Sequence, residues 1–421
     1  MEGNGDPDLS LCVGVTAHRD LVAGEISGIE KKVHAFFQDL RKDFPDLTLQ
    51  LLTPLAEGGD QLAARVALSL GIPLIVVLPM EQDDYQQDFT SEKTLSEFRS
   101  LLSAATQVIT LPQVTADEFS APGDRKAERD RQYAQVGVFI SNHCQVLLAL
   151  WDGKSGRELG GTGQVVHYHL TAVMQGFQAD PSPASLLADN ENDLVHHIVC
   201  SRNRPDGDPE PGLHALDASW FSSRAEGART KAMPEAYRTM LSRLQVFKRD
   251  WSQKEAIIKA RSCSLLEDER GLGIPPGARL TNQFFQVADG LAVHYQGRVN
   301  GSLRATHSLA ILMGLVFLIY SEYDGSRYMV MGFLALFFSG VAMHILGESR
   351  EWHRKDLDYR ALAEGVRVQL DWTRSGVVDS GSAGCAYDNF LQKQDVDLGW
   401  IRHVMRQASM RRDRGSSPDS A

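Results

Sequence analysis

The chain has 421 residues, of which 43% are hydrophobic and 23% charged. That balance fits neither a disordered chain nor one wholly embedded in lipid, and the length suggests two or three domains. A net charge of −11 argues against a general nucleic-acid binder, which carries a basic footprint. Cys12, Cys144, Cys200, Cys263 and Cys385 are scattered, without a CxxC pair. They predict no disulfide framework and no metal site, and place the soluble part in a reducing cytosol. The opening MEGNGDPDLS lacks the basic and apolar regions of a signal peptide. Near the C-terminus, Arg402, Arg406, Arg411, Arg412 and Arg414 face only Asp413; they could touch anionic lipid, but a solvated basic stretch is the simpler reading.

From Leu9 to about Cys200, strand and helix patterns alternate. Leu9, Leu11, Val13 and Val15 alternate as a strand. Ile26, Ile29, Val33, Phe36, Phe37, Leu40 and Phe44 recur at helical spacing and stop before Pro45. LTLQLL (47–52) is a second strand, and Leu62, Val66, Ala67 and Leu70 share a helix face ending at Gly71. IPLIVVLP (72–79) is apolar throughout, as a parallel strand covered on both faces must be. A helix through Phe98, Leu101, Leu102 and Ala105 precedes the strand VITL (108–111). A helix with Tyr133, Val136, Phe139 and Ile140 precedes QVLLALW (145–151). The order predicts an α/β fold with a doubly wound, mostly parallel sheet over residues 1–201. The Pro/Gly/Asp-rich RNRPDGDPEPG (202–212) opens a predicted linker, 202–233. An all-α region, 234–421, follows, with helices over about 234–266 and 280–304 separated by GLGIPPG (271–277).

Within that region lie two apolar segments. Tyr328 to Leu346 has no formal charge, only Ser339 and His344 as polar side chains, and 19 residues, close to the roughly 20 that cross about 30 Å of hydrocarbon. Thr306 to Tyr320 has 15, and alone would serve equally as a buried core helix. Only SEYDGSR (321–327) separates them, so a transmembrane hairpin is expected. Arg298 and Arg304 precede it, and Arg350, Arg354, Lys355 and Arg360 follow it, which puts both termini in the cytoplasm of an inner-membrane protein. Tyr320, Tyr323, Tyr328 and Trp352 read as interfacial anchors. Gly314, Gly332, Ser339 and Gly340 would let helices approach within or between chains. Two helices enclose no pore, so conductance would require a homo-oligomer.

Three loops fall at carboxyl ends of strands, where open α/β sheets bind ligands. In GVTAHRD (14–20), Gly14 permits close backbone approach, Thr16 offers a hydroxyl, and His18 and Arg19 could meet a phosphate. In PLAEGGDQLAAR (54–65), Gly58 and Gly59 precede a helix whose free N–H groups could cradle an anion. There Asp60 fits an N-cap, and Glu57 either a ribose-type acceptor or a turn residue. The third, WDGKSGRELGGTGQVVHYHL (151–170), holds Asp152 and opens a helix with Gly160, Gly161, Thr162 and Gly163. The pairs His167/His169 and His196/His197 lack metal-site spacing and read as structural or exposed. Arg125, Arg129 and Arg131 read as a solvated helix face.

Together GVTAHR, LAEGGDQLAA and WDGK…GGTG resemble the SLOG superfamily of Rossmann-like nucleotide-linked proteins, which includes the lysine-decarboxylase-like (LOG) and DprA types. The resemblance covers roughly 9–200 and implies a nucleotide-derived ligand, with no further cofactor. The LOG signature GGxGTxxE, laid on Gly160–Gly163, puts Gln164 at its Thr and His167 at its catalytic Glu, so no catalytic residue carries over. The helix–hairpin–helix order resembles the SLATT type of two-transmembrane effector, with DYRALAEGVRVQLDW (358–372) as the following helix, packing through Tyr359, Leu362, Val366 and Leu370. These resemblances imply a membrane-anchored sensor–effector of bacterial antiviral defence, in which a nucleotide signal triggers assembly and membrane disruption. The rival expectation is a membrane-tethered nucleotide or N-glycosidic-bond hydrolase using Glu57 or Asp152.

Overall fold

A computed structural model describes residues 9–113, 125–156, 158–177, 193–225, 228–266, 276–322, 326–374 and 396–410. The chain divides into two compact units, 1–246 with 391–403, and 247–390 with 404–421.

The first unit alternates β1 (Ser10–Ala17), α1 (Ile26–Asp43), β2 (Thr48–Thr53), α2 (Gly59–Ser69), β3 (Leu74–Leu78), the short α3 (Gln82–Tyr85), α4 (Glu92–Ser103), β4 (Gln107–Thr110), α5 (Arg125–His143), β5 (Val146–Trp151), α6 (Thr162–Thr171), β6 (Val195–Val199) and β7 (Ala218–Phe221). They form one seven-stranded sheet in the order β4-β3-β2-β1-β5-β6-β7. Every pairing is parallel except the antiparallel β6–β7 edge. β1, β3, β5 and β6 are buried almost end to end, as strands covered on both faces must be. One sheet face (Cys12, Leu52, Ile75, Val77, Leu147, Ala149) is covered by Ala134, Val136 and Ile140 of α5 and Val165 and Val166 of α6. On α1 the buried stripe is Ile29, Val33, Phe36, Phe37 and Leu40, with Phe36 stacked on His196 of β6. The strand order reverses beside β1, so the fold is the expected doubly wound sheet.

The structure differs from the sequence reading at β6 and β7. Residues 202–233, read as a linker, contain β7, which pairs with β6 from Val195↔Phe221 to Ile198↔Ala218, and Thr230, which bridges Trp220. Four residues with only two large apolar side chains, adjacent to each other, give no alternating pattern to detect. β6, VHHIV, is interrupted by two histidines, yet His196 and His197 are 8% and 0% exposed. His197 Nε2 donates to the Trp151 carbonyl at 2.8 Å, and its Nδ1 lies 2.6 Å from Arg229. Burial depresses its pKa to about 4, so it stays neutral. His169 is also buried, 2.8 Å from Ser141 Oγ, whereas His167 is exposed.

α7 (Glu235–Gln253) carries the chain from the first unit into the second. There α8 (Glu255–Arg261), α9 (Pro276–Glu322), α10 (Arg327–Ser349) and α11 (Trp352–Arg374) follow, and α12 (Gly399–Met410) ends the described chain. The helices expected over 280–304 and 306–320 are one 47-residue helix, α9. With no break to respect, the helix runs on from Arg304 into the apolar segment, and the uncharged run Ala305–Ser321 spans about 26 Å at about 1.5 Å per residue. Two helices are thus long and apolar enough to cross a membrane, and their apolar windows are wholly unburied. Ile311, Phe317, Met331, Phe338 and Ile345 are each at least 60% exposed. Gly340 lies near Leu309, at the α9–α10 contact, while Gly314 and Gly332 face open space. Tyr320 and Tyr328 are exposed, Trp352 lies beneath Arg298, and Tyr323 lies outside the described residues. Arg402 and Arg406, expected to be solvated, are buried on α12; Arg411, Arg412 and Arg414 lie outside the described residues.

Beneath the apolar segments, α7, α9 and α11 converge on Asp250, which is 5% exposed. Its carboxylate accepts from Tyr295 Oη at 2.9 Å, Tyr359 Oη at 2.7 Å and Lys355 Nζ at 2.8 Å, and also pairs with Lys254. Burial alone would raise its pKa, but Lys254, Lys355 and Tyr359 outweigh it and hold it below the ordinary carboxylate range. Its stabilising contribution is therefore complete above that range and lost as pH falls through the lowered pKa. On the α11 stripe Tyr359, Leu362, Val366 and Leu370 are all buried, as their spacing predicts. Asp250→Ala leaves two ammonium groups and two hydroxyls short of an acceptor, at an expected cost on the order of 3 kcal/mol. Thermal unfolding of the full chain in detergent at pH 7 reads this; an unchanged transition would remove the joint from the account of stability.

Candidate functional site

A cleft of about 770 Å³ opens where β1 and β5 lie side by side and their following loops diverge. Its walls come from the β1–α1 loop (Thr16, His18, Arg19, Asp20), the start of α2 (Asp60), Tyr85, α5 (Lys126, Asp130, Tyr133), the β5–α6 loop (Asp152, Lys154) and Gly160–Gly163. Arg202 and Arg204, just past β6, complete it. The parallel register Val13↔Val146 to Ala17↔Leu150 ends both strands at one edge, which is why these distant segments meet.

Of the residues singled out in the sequence, Thr16, His18, Arg19, Asp60, Asp152, Gly160, Gly161, Thr162 and Gly163 line this cleft. His18 Nε2 lies 3.1 Å from Asp152 Oδ1, which also accepts from the Lys154 N–H at 3.1 Å. Burial would raise the Asp152 carboxyl, but His18, Lys154 and Arg202 together hold it below its ordinary range. Arg19 is exposed at the cleft, its guanidinium 4.9 Å from the Tyr133 ring centroid, a cation–π geometry. Tyr133 in turn donates to Asp88. Asp20 is taken by Arg202 at 2.8 Å.

Gly14, Glu57, Gly58 and Gly59 do other work. A side chain at Gly14 would sit 2.7 Å from Ile140 and 2.8 Å from Cys144 Sγ, so this glycine lets α5 pack on β1. Gly58 has φ +87° and passes so close to the Arg19 carbonyl that a Cβ would lie 2.2 Å from it. The Gly59 N–H, expected to be free for an anion, donates to the His18 carbonyl at 3.1 Å. This pair of glycines therefore seats the His18–Arg19 loop on α2 and lies behind the cleft. Glu57 accepts from Thr90 Oγ1 at 2.8 Å and Thr94 Oγ1 at 2.7 Å, tying down the start of α4. Arg125 and Arg129 pair with Asp84, and Arg129 also with Asp88, away from the cleft lining.

The anion-site expectation fits α6 better. Gly160 has φ +75° and packs on the Tyr133–Ala134 backbone, while Gly163 leaves no room for a Cβ beside Gly156 N and Lys154 O. Gly161 is the N-cap and supplies no side-chain cap, so the first N–H groups of α6 are left to the cleft. Lys154, Tyr85, Tyr133, Arg202 and Arg204 were not singled out as site residues. Lys154 stands inside the WDGK motif, and RNRP follows the last parallel strand at the same edge, which was the available signal. The tyrosines come from α3 and α5 and reach the cleft only through packing.

Asp60 is 3% exposed. Burial pushes its carboxyl up to about 8, against the opposing pull of Arg19 and the Ala56 N–H. A raised folded-state pKa means that this contribution to stability is full below the ordinary carboxylate range and is lost as pH rises through about 8. Asp60→Asn should therefore flatten the decline in melting temperature of the first unit between pH 5 and pH 8.5. Parallel wild-type and variant curves would show that Asp60 titrates normally. Among the described residues, no group of three or more His, Cys, Asp or Glu side chains could hold a metal ion.

No family model matches the chain, and no curated protein matches it. Among solved structures it is similar to DNA processing protein A (DprA) from Streptococcus pneumoniae, at 15% identity and a TM-score of 0.22. That likeness covers 33% of this chain and 41% of the other; at this score it lends nothing to the function.

Proposed function

We propose that this protein is a membrane-anchored sensor–effector of the SLOG and SLATT kind, whose α/β unit binds a nucleotide-derived anion. The observation that carries the reading is the cleft at the strand-order reversal, into which an uncapped helix N-terminus, Arg19 and Lys154 bring positive potential. Arg204 adds to it, while Arg202 is balanced by Asp20, and Tyr133 offers aromatic surface for a base. In the same chain, the apolar segments of α9 and α10 leave large apolar side chains exposed, and a bilayer is the environment that satisfies them. Both termini lie in the cytoplasm, by the basic flanks. Ligand binding favours an assembly in which hairpins of several copies disrupt the membrane, which requires tighter binding to that assembly than to the resting state. The role in antiviral defence follows from the resemblance alone.

A specific observation keeps the hydrolase reading alive, namely the His18–Asp152 pair in the cleft, which has the form of a general base and its orienting carboxylate. Glu57, committed to two threonines, drops out of that role. Release of free base from a nucleotide panel would favour the enzyme.

Thermal shifts of the full chain in detergent, measured against linear and cyclic nucleotides, test the sensor. Arg19→Ala should abolish any ligand-induced shift. Gly161→Asp should abolish it too, because its carboxylate would cap α6 and occupy the anion position; a Cβ there lies 3.0 Å from the Glu158 carbonyl, so the ligand-free melting temperature should fall slightly. Shifts that survive both changes would move the ligand elsewhere. The chain should sediment with membranes and need detergent for release; recovery in the high-speed supernatant would remove the effector half.

A further inference from the structure

Asp60 presents a physical problem that the cleft reading alone leaves unsolved. It stands in the first turn of α2, in the cleft wall, and is almost wholly buried. One side of its carboxyl takes the Ala56 N–H, while Oδ1 has no hydrogen-bond partner among the described residues. A buried, unpaired carboxylate oxygen is costly, and a carboxylate in an anion site would repel the ligand. The surroundings do not neutralise it. Arg19, the nearest cation by its electrostatic influence, forms no ion pair with it within 4.0 Å among the described residues and lies over Tyr133 instead. Tyr85 from α3, 1% exposed, and Tyr133 from α5 face the same region, with Asp88 behind Tyr133. Farther along α2, Arg65 is committed to Glu30 and Glu97. Across the cleft His18 is paired with Asp152, and Asp20 with Arg202.

A neutral carboxyl eases both difficulties: an unpaired oxygen of a neutral acid costs less to bury than one of a carboxylate, and an O–H donates to an anion where a carboxylate repels it. We propose that Asp60 is the proton-bearing wall of the anion site, donating its carboxyl O–H to an anionic oxygen of the ligand, so that ligand binding is coupled to its protonation. This rests on the cleft being the anion site proposed above, and it adds a regulation of that site: affinity present at and below neutral pH and lost in alkali. With the free carboxyl titrating near 8, the affinity for an anion held only by the protonated form falls about tenfold per pH unit above that value.

The test is calorimetric titration of the full-length protein in detergent with ADP, and separately with inorganic pyrophosphate, from pH 6.5 to pH 9.5. Wild-type affinity should fall at least tenfold between pH 8 and pH 9.5, with uptake of up to one proton per ligand at pH 8.5, read from buffers of different ionisation heat. Asp60→Asn, whose amide donates from the same place without titrating, should keep neutral-pH affinity within about threefold and show a flat alkaline profile. Asp60→Ala should bind weakly at every pH. Parallel wild-type and Asp60→Asn profiles, or no proton uptake by the wild type, would overturn the role of Asp60 and leave the cleft reading standing. Absence of binding by wild type to either anion at any pH would overturn both.

Discussion

The constraint on which the first unit depends is the place of β1 in its sheet. The chain builds outward from β1 through β2 and β3 to β4, then returns to lay β5 along the other side of β1. Parallel pairing aligns the ends of β1 and β5, and the return forces their following loops apart. The opening is therefore a consequence of topology, with no residue spent on making it. What residues decide is how it is lined. Gly14 lets α5 lie close on β1, and Gly58 lets the His18–Arg19 loop rest on α2, so the cleft has a firm floor with the exposed Arg19 and Arg204 in its lining.

Polar groups in the lining fall into two kinds. Most are partnered: Asp152 by His18 and a backbone N–H, Asp20 by Arg202. These fix the shape of the loops. Among the described residues Oδ1 of Asp60 has no partner, and the first turn of α6 has no side-chain cap; a buried polar group without a partner calls for an explanation. The same bookkeeping that satisfies Glu57 through Thr90 and Thr94 removes it from any chemistry.

The second unit carries two helices long and apolar enough to cross a membrane. α9 and α10 hold apolar side chains outward, where water would penalise them and lipid would not. Below them the helices return to ordinary protein logic, with a buried stripe on α11 and the Asp250 joint gathering α7, α9 and α11. A buried carboxylate held by two ammonium groups and two phenols has few alternative arrangements, so it fixes the mutual register of the three helices more than it adds net stability.

The alternation of strands and helices, the two apolar segments and the three glycine-bearing loops were all legible in the sequence, because each depends on local periodicity or on backbone freedom encoded within a few residues. β6 and β7 were not, since two histidines and a four-residue edge strand carry no period. Nor was the division of labour among glycines: GGD and GGTG read alike, and only packing shows that the Gly59 amide is spent on His18 while the start of α6 remains open. The join of the two helical segments into the single helix α9 was likewise not legible, because no local signal between Arg304 and Thr306 distinguishes a continuous helix from two. Which carboxyl has a partner was decided by tertiary structure as well. Glu57 and Asp60 stand three residues apart, one satisfied by α4 and the other buried in the cleft wall with an unpartnered oxygen, because contacts between elements distant in sequence have no local signature.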